Sequence, residues 1–390
     1  MKHREALALV TFGLLAVSIS EAGNVLVCRD IKDCNTCADS YIHILGFKED
    51  CRWCLETNTC GGPISCPMGK PVIQKDPFKC PTPVSFCLNQ YDSTFLNFQY
   101  KPTAGKRYTD ALGRSLFAIS TAVRDRNVSD CLRSVRPDIT FSRTYEVECD
   151  GSGNLCKGII AKSEEAKALY VAYKGSTAGK QVFAEMLHGL TAQLGAWEKF
   201  ESQDAGVINY FHTAFYRLFI DSGMEDDLMD LMKKHKNYRI WLTGHSLGGS
   251  LASMTALHLV KKKAVDKNRV RLITFGEPRT GNIAYAKEIE ENVPFRYRVI
   301  KRGDPVPNMP APLNPAVLTA AQYNRQAMHY RYLVHYDNNM AKGDEFNVCS
   351  VADDLGCRNT ALSNLADHTS YFQIDQDDFI RNHCPRHELI

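Results

Sequence analysis

The run Gly244-His245-Ser246-Leu247-Gly248 constrains this chain more than any other stretch. It follows the apolar segment Arg239-Ile240-Trp241-Leu242-Thr243 and precedes Gly249-Ser250-Leu251-Ala252-Ser253, a small-residue opening to a helix. That order reads strand, sharp turn, helix. A serine at such a turn is pushed clear of the sheet, and the flanking glycines are needed because a Cβ there would collide. Other short apolar runs, Ala168–Tyr173, Val270–Phe275 and Tyr297–Ile300, alternate with the amphipathic stretches Ala111–Val123 and Asp226–Lys234. Strand–helix alternation argues for an α/β domain with a largely parallel sheet. Hydrophobic residues at 44% and charged residues at 23% allow a sizeable core and exclude a disordered or fibrous chain. A formal net charge of +3 gives no electrostatic case for a nucleic-acid partner.

Cysteine divides the chain. Nine of the fifteen cysteines fall between Cys28 and Cys87. The sequence begins with basic Lys2, His3 and Arg4, runs through apolar Ala6–Val17 and reaches small residues around Ser20-Glu21-Ala22. This reads as a secretory signal over residues 1–22, too short in its apolar part to cross a bilayer. An oxidising compartment makes the paired Cys-x2-Cys units disulfides rather than a zinc site. Residues 23–90 are therefore expected to form a small stapled module, and 91–390 a larger domain. The opening Cys28-x5-Cys34-x2-Cys37 and the later Cys51-Arg52-Trp53-Cys54 resemble the plexin–semaphorin–integrin module. That resemblance spans about 60 residues and implies a spacer or protein-contact surface without chemistry. Nine cysteines stand where eight are usual, so one, with Cys87 as the candidate, pairs elsewhere. Further along, Cys149 and Cys156 flank a hairpin-like turn, and Cys349 and Cys357 enclose a short acidic loop. Both pairs are disulfide candidates, with Cys131 and Cys384 as a third. Asn127-Val128-Ser129 is a glycosylation sequon.

Ser246 is a poor nucleophile without a base, and the base needs an acid to orient it. Asp304 lies in the loop after Tyr297–Ile300, where an acid would sit at the carboxyl end of a strand. His368 lies later, in Asp367-His368-Thr369-Ser370-Tyr371-Phe372. His329, His335 and His383 also follow Ser246, so position alone does not select the base. Asp367 competes as the acid, but its neighbour's ring lies in the wrong direction. Gly175-Ser176 follows the strand Ala168–Tyr173, so its N–H groups would reach the same sheet edge as Ser246.

Four separated motifs now resemble the class 3, fungal-type lipases. They are Tyr173-Lys174-Gly175-Ser176, the Ser246 pentapeptide, Phe275-Gly276-Glu277-Pro278-Arg279-Thr280-Gly281-Asn282, and Asp304-Pro305-Val306-Pro307. Asp367–Phe372 is a fifth, and the resemblance covers about residues 105–375. It implies an α/β-hydrolase fold and a triad of Ser246, Asp304 and His368. It implies an oxyanion hole from Ser176 and the Leu247 N–H. Lys174 departs from the arginine common in the family. The segment Gln181–Leu190 carries Val182, Phe183, Met186 and Leu187 on one helical stripe. As a core helix the stripe would be buried permanently; the family places its lid here, which would turn these residues toward lipid. The expected activity is a secreted serine ester hydrolase, chiefly a triacylglycerol lipase, acting at a lipid–water interface with no metal or organic cofactor. A phospholipase A1 or soluble-ester esterase is the nearer alternative. A non-catalytic binding protein on a hydrolase scaffold is the alternative from another class.

Overall fold

The computed structural model describes residues 27–31, 34–44, 47–57, 59–62, 66–68, 72–73, 108–149, 153–175, 197–310, 326–349, 352–353 and 364–385. The chain divides into two compact units, Met1–Cys80 and Pro81–Ile390. The first therefore ends ten residues before the boundary read from the sequence, which leaves Cys87 in the second unit and outside the described residues.

In the first unit a hairpin pairs Tyr41–Ile44 with Phe47–Asp50, and Arg52–Cys54 lies between Thr59–Gly61 and Val72–Ile73. Its buried cluster is Cys28, Ile31, Cys34, Cys37, Ala38, Cys51, Trp53 and Cys60. Half-cystines dominate that cluster because so short a stretch cannot bury enough aliphatic surface to hold itself. Disulfides join Cys28 to Cys51, Cys37 to Cys60 and Cys54 to Cys66. Both members of each Cys-x2-Cys unit thus belong to different bridges, since Cys34 is disulfide-bonded too.

The second unit is organised around one eight-stranded sheet. Its strands are β1 (Ile139–Glu148), β2 (Leu155–Ser163), β3 (Ala168–Tyr173), β4 (Arg239–His245), β5 (Val270–Phe275), β6 (Arg296–Lys301), β7 (Leu333–Tyr336) and β8 (Asn347–Cys349). They lie side by side in chain order. From β3 to β7 every neighbour is parallel. The edges β1–β2–β3 and β7–β8 are antiparallel. Every residue of β3, β5 and β6 is buried, as expected of strands covered by helices on both faces. The β1–β2 hairpin was not among the strands read from the sequence. Most positions of β1 are exposed or half-buried, so its apolar signal is thin.

Helix α1 (Asp110–Ala122) starts where the Thr109 hydroxyl accepts from the Leu112 N–H, which satisfies one of its orphan donors. Helix α2 (Leu247–Lys261) leaves β4 and is buried from Leu247 through Leu259. Gly248, Gly249, Ala252 and Ser253 let it approach the sheet closely. Among the described residues no helix is long and apolar enough to cross a membrane. Cys131–Cys384 and Cys149–Cys156 are disulfides in this unit. Cys349 is also disulfide-bonded, whereas Cys357 lies outside the described residues.

Candidate active site

The parallel strands β4, β5 and β6 deliver three side-chain positions to one sheet edge. Ser246 stands between the end of β4 and the start of α2, with φ 58° and ψ −128°. A non-glycine residue there is strained, and strain of this kind persists only where the surroundings over-determine it. The Ser246 N–H donates to the Phe275 carbonyl at 2.9 Å and the Gly249 N–H donates to the Ser246 carbonyl at 2.8 Å. A Cβ on Gly248 would lie 2.3 Å from the Tyr173 carbonyl oxygen, so only glycine lets α2 start so close to β3. The serine is buried, and its Oγ has no hydrogen-bond partner among the described residues. A buried hydroxyl with no partner among the described residues costs stability.

Asp304 follows β6 in a turn closed by its own N–H to the Lys301 carbonyl. Its carboxylate accepts from the Val306 N–H at 2.9 Å and from the Tyr371 hydroxyl at 2.6 Å. The His368 Nδ1 lies 3.0 and 2.9 Å from the two Asp304 oxygens. A carboxylate only accepts, so Nδ1 carries the proton and Nε2 is the ring's other face. His368 is held in the helix α3 (Leu365–Thr369), which Asn364 caps through Oδ1. Both Asp304 and His368 are buried.

Asp367 turns away from the His368 ring. It meets Lys301 Nζ at 3.3 Å and accepts from the Gly303 N–H at 3.3 Å, so it ties α3 to the Asp304 loop. The other candidate histidines lie apart from Asp304. His329 Nε2 donates to the Pro307 carbonyl at 2.8 Å, His335 lies on β7, and His383 lies exposed beyond the last helix. Leu247 is buried as the first residue of α2, where a helix leaves its leading N–H groups without intrahelical partners. Ser176 and the whole segment Gln181–Leu190, with Val182, Phe183, Met186 and Leu187, lie outside the described residues. Gly175 is described, and a Cβ on it would come 3.2 Å from the Ser246 Cβ. The adjoining Lys174 is buried enough to lower its ammonium pKa. Asn127 is exposed and caps the following helix, its Oδ1 accepting from the Asp130 N–H.

Three residues at this site had no role assigned from the sequence. Tyr371 holds Asp304; burial first, and the Asp304 charge second, raise its pKa well above the usual phenol value, so it remains a donor. Gly276, at φ +55°, leaves room for the Asp304–His368 pair, because a Cβ there would lie 2.8 Å from Asp304 Oδ2 and 3.0 Å from His368 Nδ1. His245 packs its ring against His368, with centroids 4.3 Å apart. The only sequence signals were proximity to named motif residues and, for Gly276, a glycine directly after a strand.

Comparison with known proteins adds a family. Residues 170–314 match the Lipase (class 3) family. The chain carries a class 3 lipase domain. Over 303 residues it is 28% identical to a lipase of Caenorhabditis elegans, which covers 71% of this chain and 83% of that protein. Over 228 residues it is 26% identical to a lipase of Rhizomucor miehei, covering 56% of this chain and 55% of the fungal protein. The lipase fold is seen again in lipase II from Rhizopus niveus, at TM-score 0.55 and 20% identity, covering 68% of this chain and 95% of that one. A structure described as a triacylglycerol lipase whose catalytic centre is a serine protease triad matches at TM-score 0.53 and 20% identity, over 67% and 93% of the two chains. The matched residues of the lipase domain include the Ser246 turn, Gly276 and the Asp304 loop. The domain is thus an ester hydrolase by family, on an α/β-hydrolase fold.

Proposed function

We propose that this chain is a secreted triacylglycerol lipase that works through Ser246, His368 and Asp304. The observation that carries the reading is the His368–Asp304 pair, set on the same sheet edge as a strained, buried serine whose hydroxyl makes no competing bond among the described residues. Ser246 Oγ attacks the ester carbonyl while His368 Nε2 accepts its proton. Asp304 holds the opposite ring nitrogen and stabilises the imidazolium. The carbonyl oxygen becomes an oxyanion and takes hydrogen bonds from the Leu247 N–H and from Ser176. Donors prearranged in this way are worth about 2.7–4 kcal/mol each. His368 then gives its proton to the leaving alkoxide, which departs as the alcohol and leaves an acyl-serine. Water, activated by the same imidazole, attacks the acyl-enzyme and releases the fatty acid.

The relatives called lipases and the neighbour called a triacylglycerol lipase favour a glyceride as the ester. A further neighbour is a fungal lipase–inhibitor complex offered as a model for interfacial activation. The apolar stripe of Val182, Phe183, Met186 and Leu187 is the segment of this chain suited to that behaviour. Secretion is supported by the leader-like residues 1–22 and by the disulfides of both units. A glycan on exposed Asn127 and a protein contact through the cysteine-rich unit belong to the same reading.

A fluorophosphonate probe tests the chemistry. It should label Ser246, and Ser246→Ala should abolish both labelling and ester hydrolysis while leaving the melting temperature unchanged. A folded, fully active Ser246→Ala variant would overturn the assignment. Tributyrin, triolein and phosphatidylcholine at matched interfaces test the substrate. Faster release from the sn-1 position of phosphatidylcholine would make the enzyme a phospholipase A1 instead. For the lid, Phe183→Asp should blunt the rise in rate on emulsified triglyceride more than it lowers the rate on a soluble ester. Equal losses on both, with a large drop in melting temperature, would make the segment a core helix.

A further inference from the structure

The helix that carries His368 is only five residues long. A helix so short does not hold itself in water, and the carbonyls of its last turn have no intrahelical donor. One of these carbonyls belongs to His368 itself. The His245 Nε2 lies 2.7 Å from it. A carbonyl oxygen can only accept, so Nε2 is the protonated nitrogen of His245, and in the neutral ring Nδ1 is bare. His245 is the last residue of β4, directly before Ser246. Its side chain is buried, its ring lies 4.3 Å from the His368 ring at a tilt of 38°, and Phe117 and Tyr371 close its edges.

We propose that His245 is a positioning residue: its Nε2–H caps the His368 carbonyl and so locks the helix bearing the base to the strand bearing the nucleophile. The two catalytic side chains come from segments 122 residues apart in sequence, and the described hydrogen bonds of His368 to Asp304 orient its ring rather than its backbone. The His245 bond restrains that backbone from the Ser246 side. Proton transfer between Ser246 and His368 needs their separation held to a fraction of an ångström, and a displacement of about 1 Å costs about 100-fold in rate. The ring also stays neutral beside the imidazolium that forms during the reaction. Burial first, and the nearby His368 charge second, drive its pKa well below the ordinary histidine value. The bare Nδ1 lies on the side of Gly175. A Cβ on Gly175 would be 3.3 Å from that nitrogen.

The inference rests on the reading of Ser246 and His368 as catalytic, and the test separates the two. Gln at position 245 places its amide nitrogen near the site of the imidazole Nε2, whereas Asn places one near Nδ1. His245→Asn should therefore lower kcat on a soluble short-chain ester, and the rate of fluorophosphonate labelling, by about 10–100-fold with KM changed less than twofold. His245→Gln should recover most of both rates at a melting temperature similar to that of the Asn variant. A residue that merely fills space would give two variants with equal rates, and that equality would overturn the proposal. Wild-type protein that fails to label at Ser246 would overturn the catalytic reading instead. The tautomer gives a measurement independent of how the variants fold. In the wild-type enzyme labelled with nitrogen-15 in its histidines, His245 should be protonated at Nε2 and bare at Nδ1 at pH 7. The Nδ1–H tautomer, or an imidazolium, would overturn the proposal.

Discussion

The Tyr371 hydroxyl donates to Asp304 Oδ2 at 2.6 Å, on the same carboxylate oxygen that His368 Nδ1 approaches at 2.9 Å. The phenol and the imidazole therefore share one acceptor. With the Val306 N–H on Oδ1, the carboxylate is held at both oxygens and has little freedom to swing. Tyr371→Phe keeps the ring packed against Phe117 and removes this donor, together with the acceptor that the Lys301 N–H meets at 3.3 Å. A hydrogen bond to a charged group is worth about 1.5–3 kcal/mol, so turnover should fall by about 10-fold and by no more than about 100-fold. The KM for a soluble ester should stay within twofold. An unchanged kcat would show that the Asp304 rotamer is held without the phenol.

Gly276→Ala should act on the same pair from below. The methyl would meet Asp304 Oδ2 at 2.8 Å and two His368 ring atoms at 3.0 Å, at a backbone φ of +55°. Left-handed backbone costs an alanine about 1–2 kcal/mol, and the clash adds a displacement of the pair. We expect kcat to fall by about 100-fold with a modest loss of melting temperature. Gly153→Ala is the control, since Gly153 also has positive φ, at +83°, with nothing within 4 Å of the added methyl. It should lose stability alone. Equal activity in the two variants would refute the steric account.

Asp304 and Asp367 were rivals on sequence grounds, and they separate by partner. Asp304→Asn should lower turnover by about 10⁴-fold with the fold retained, because the amide can present a donor to Nδ1 and favour the wrong tautomer. Asp367→Asn removes the carboxylate that faces Lys301, whose Nζ also donates to the Ser370 carbonyl, and should lower the melting temperature while costing less than about 10-fold in kcat. The reverse ranking of the two kcat values would exchange their roles.

What could be read beforehand followed chain-local physics. The Ser246 turn was visible because glycines, a strand and a helix opening all lie within fifteen residues. Asp304 was visible because an acid follows a buried strand. His245 and Tyr371 were not, because their partners are 123 and 67 residues away and only the folded sheet edge brings them together. The β1–β2 hairpin was missed for a different reason. Ile139–Glu148 is an edge strand with polar side chains at most positions, so it lacks the hydrophobic run that marked β3 and β5. The sequence boundary at residue 90 rested on the last cysteine of the cluster, whereas the compact unit stops at Cys80.

Stability should fall as pH drops below the ordinary histidine value of about 6.5. His245 and His329 are buried, and burial, the largest cause, holds both well below that value in the folded protein; Arg298 adds to the effect at His329. A group with a lowered folded pKa binds more protons when the chain is unfolded. Its stabilising contribution is therefore complete above about pH 6.5 and is lost progressively as pH falls. Each such histidine costs up to about 1.4 kcal/mol per pH unit below that point. At His329 the facing charges are Arg298, Arg279 and Asp353, and the ring donates to the Pro307 carbonyl. Gln can donate to the same carbonyl without titrating. Urea unfolding of the wild type at pH 7.5 and pH 5.5 should show a clear loss of stability, and His329→Gln should lose less over the same interval. Identical losses in the two proteins would mean that His329 is protonated in the folded state as readily as in the unfolded chain.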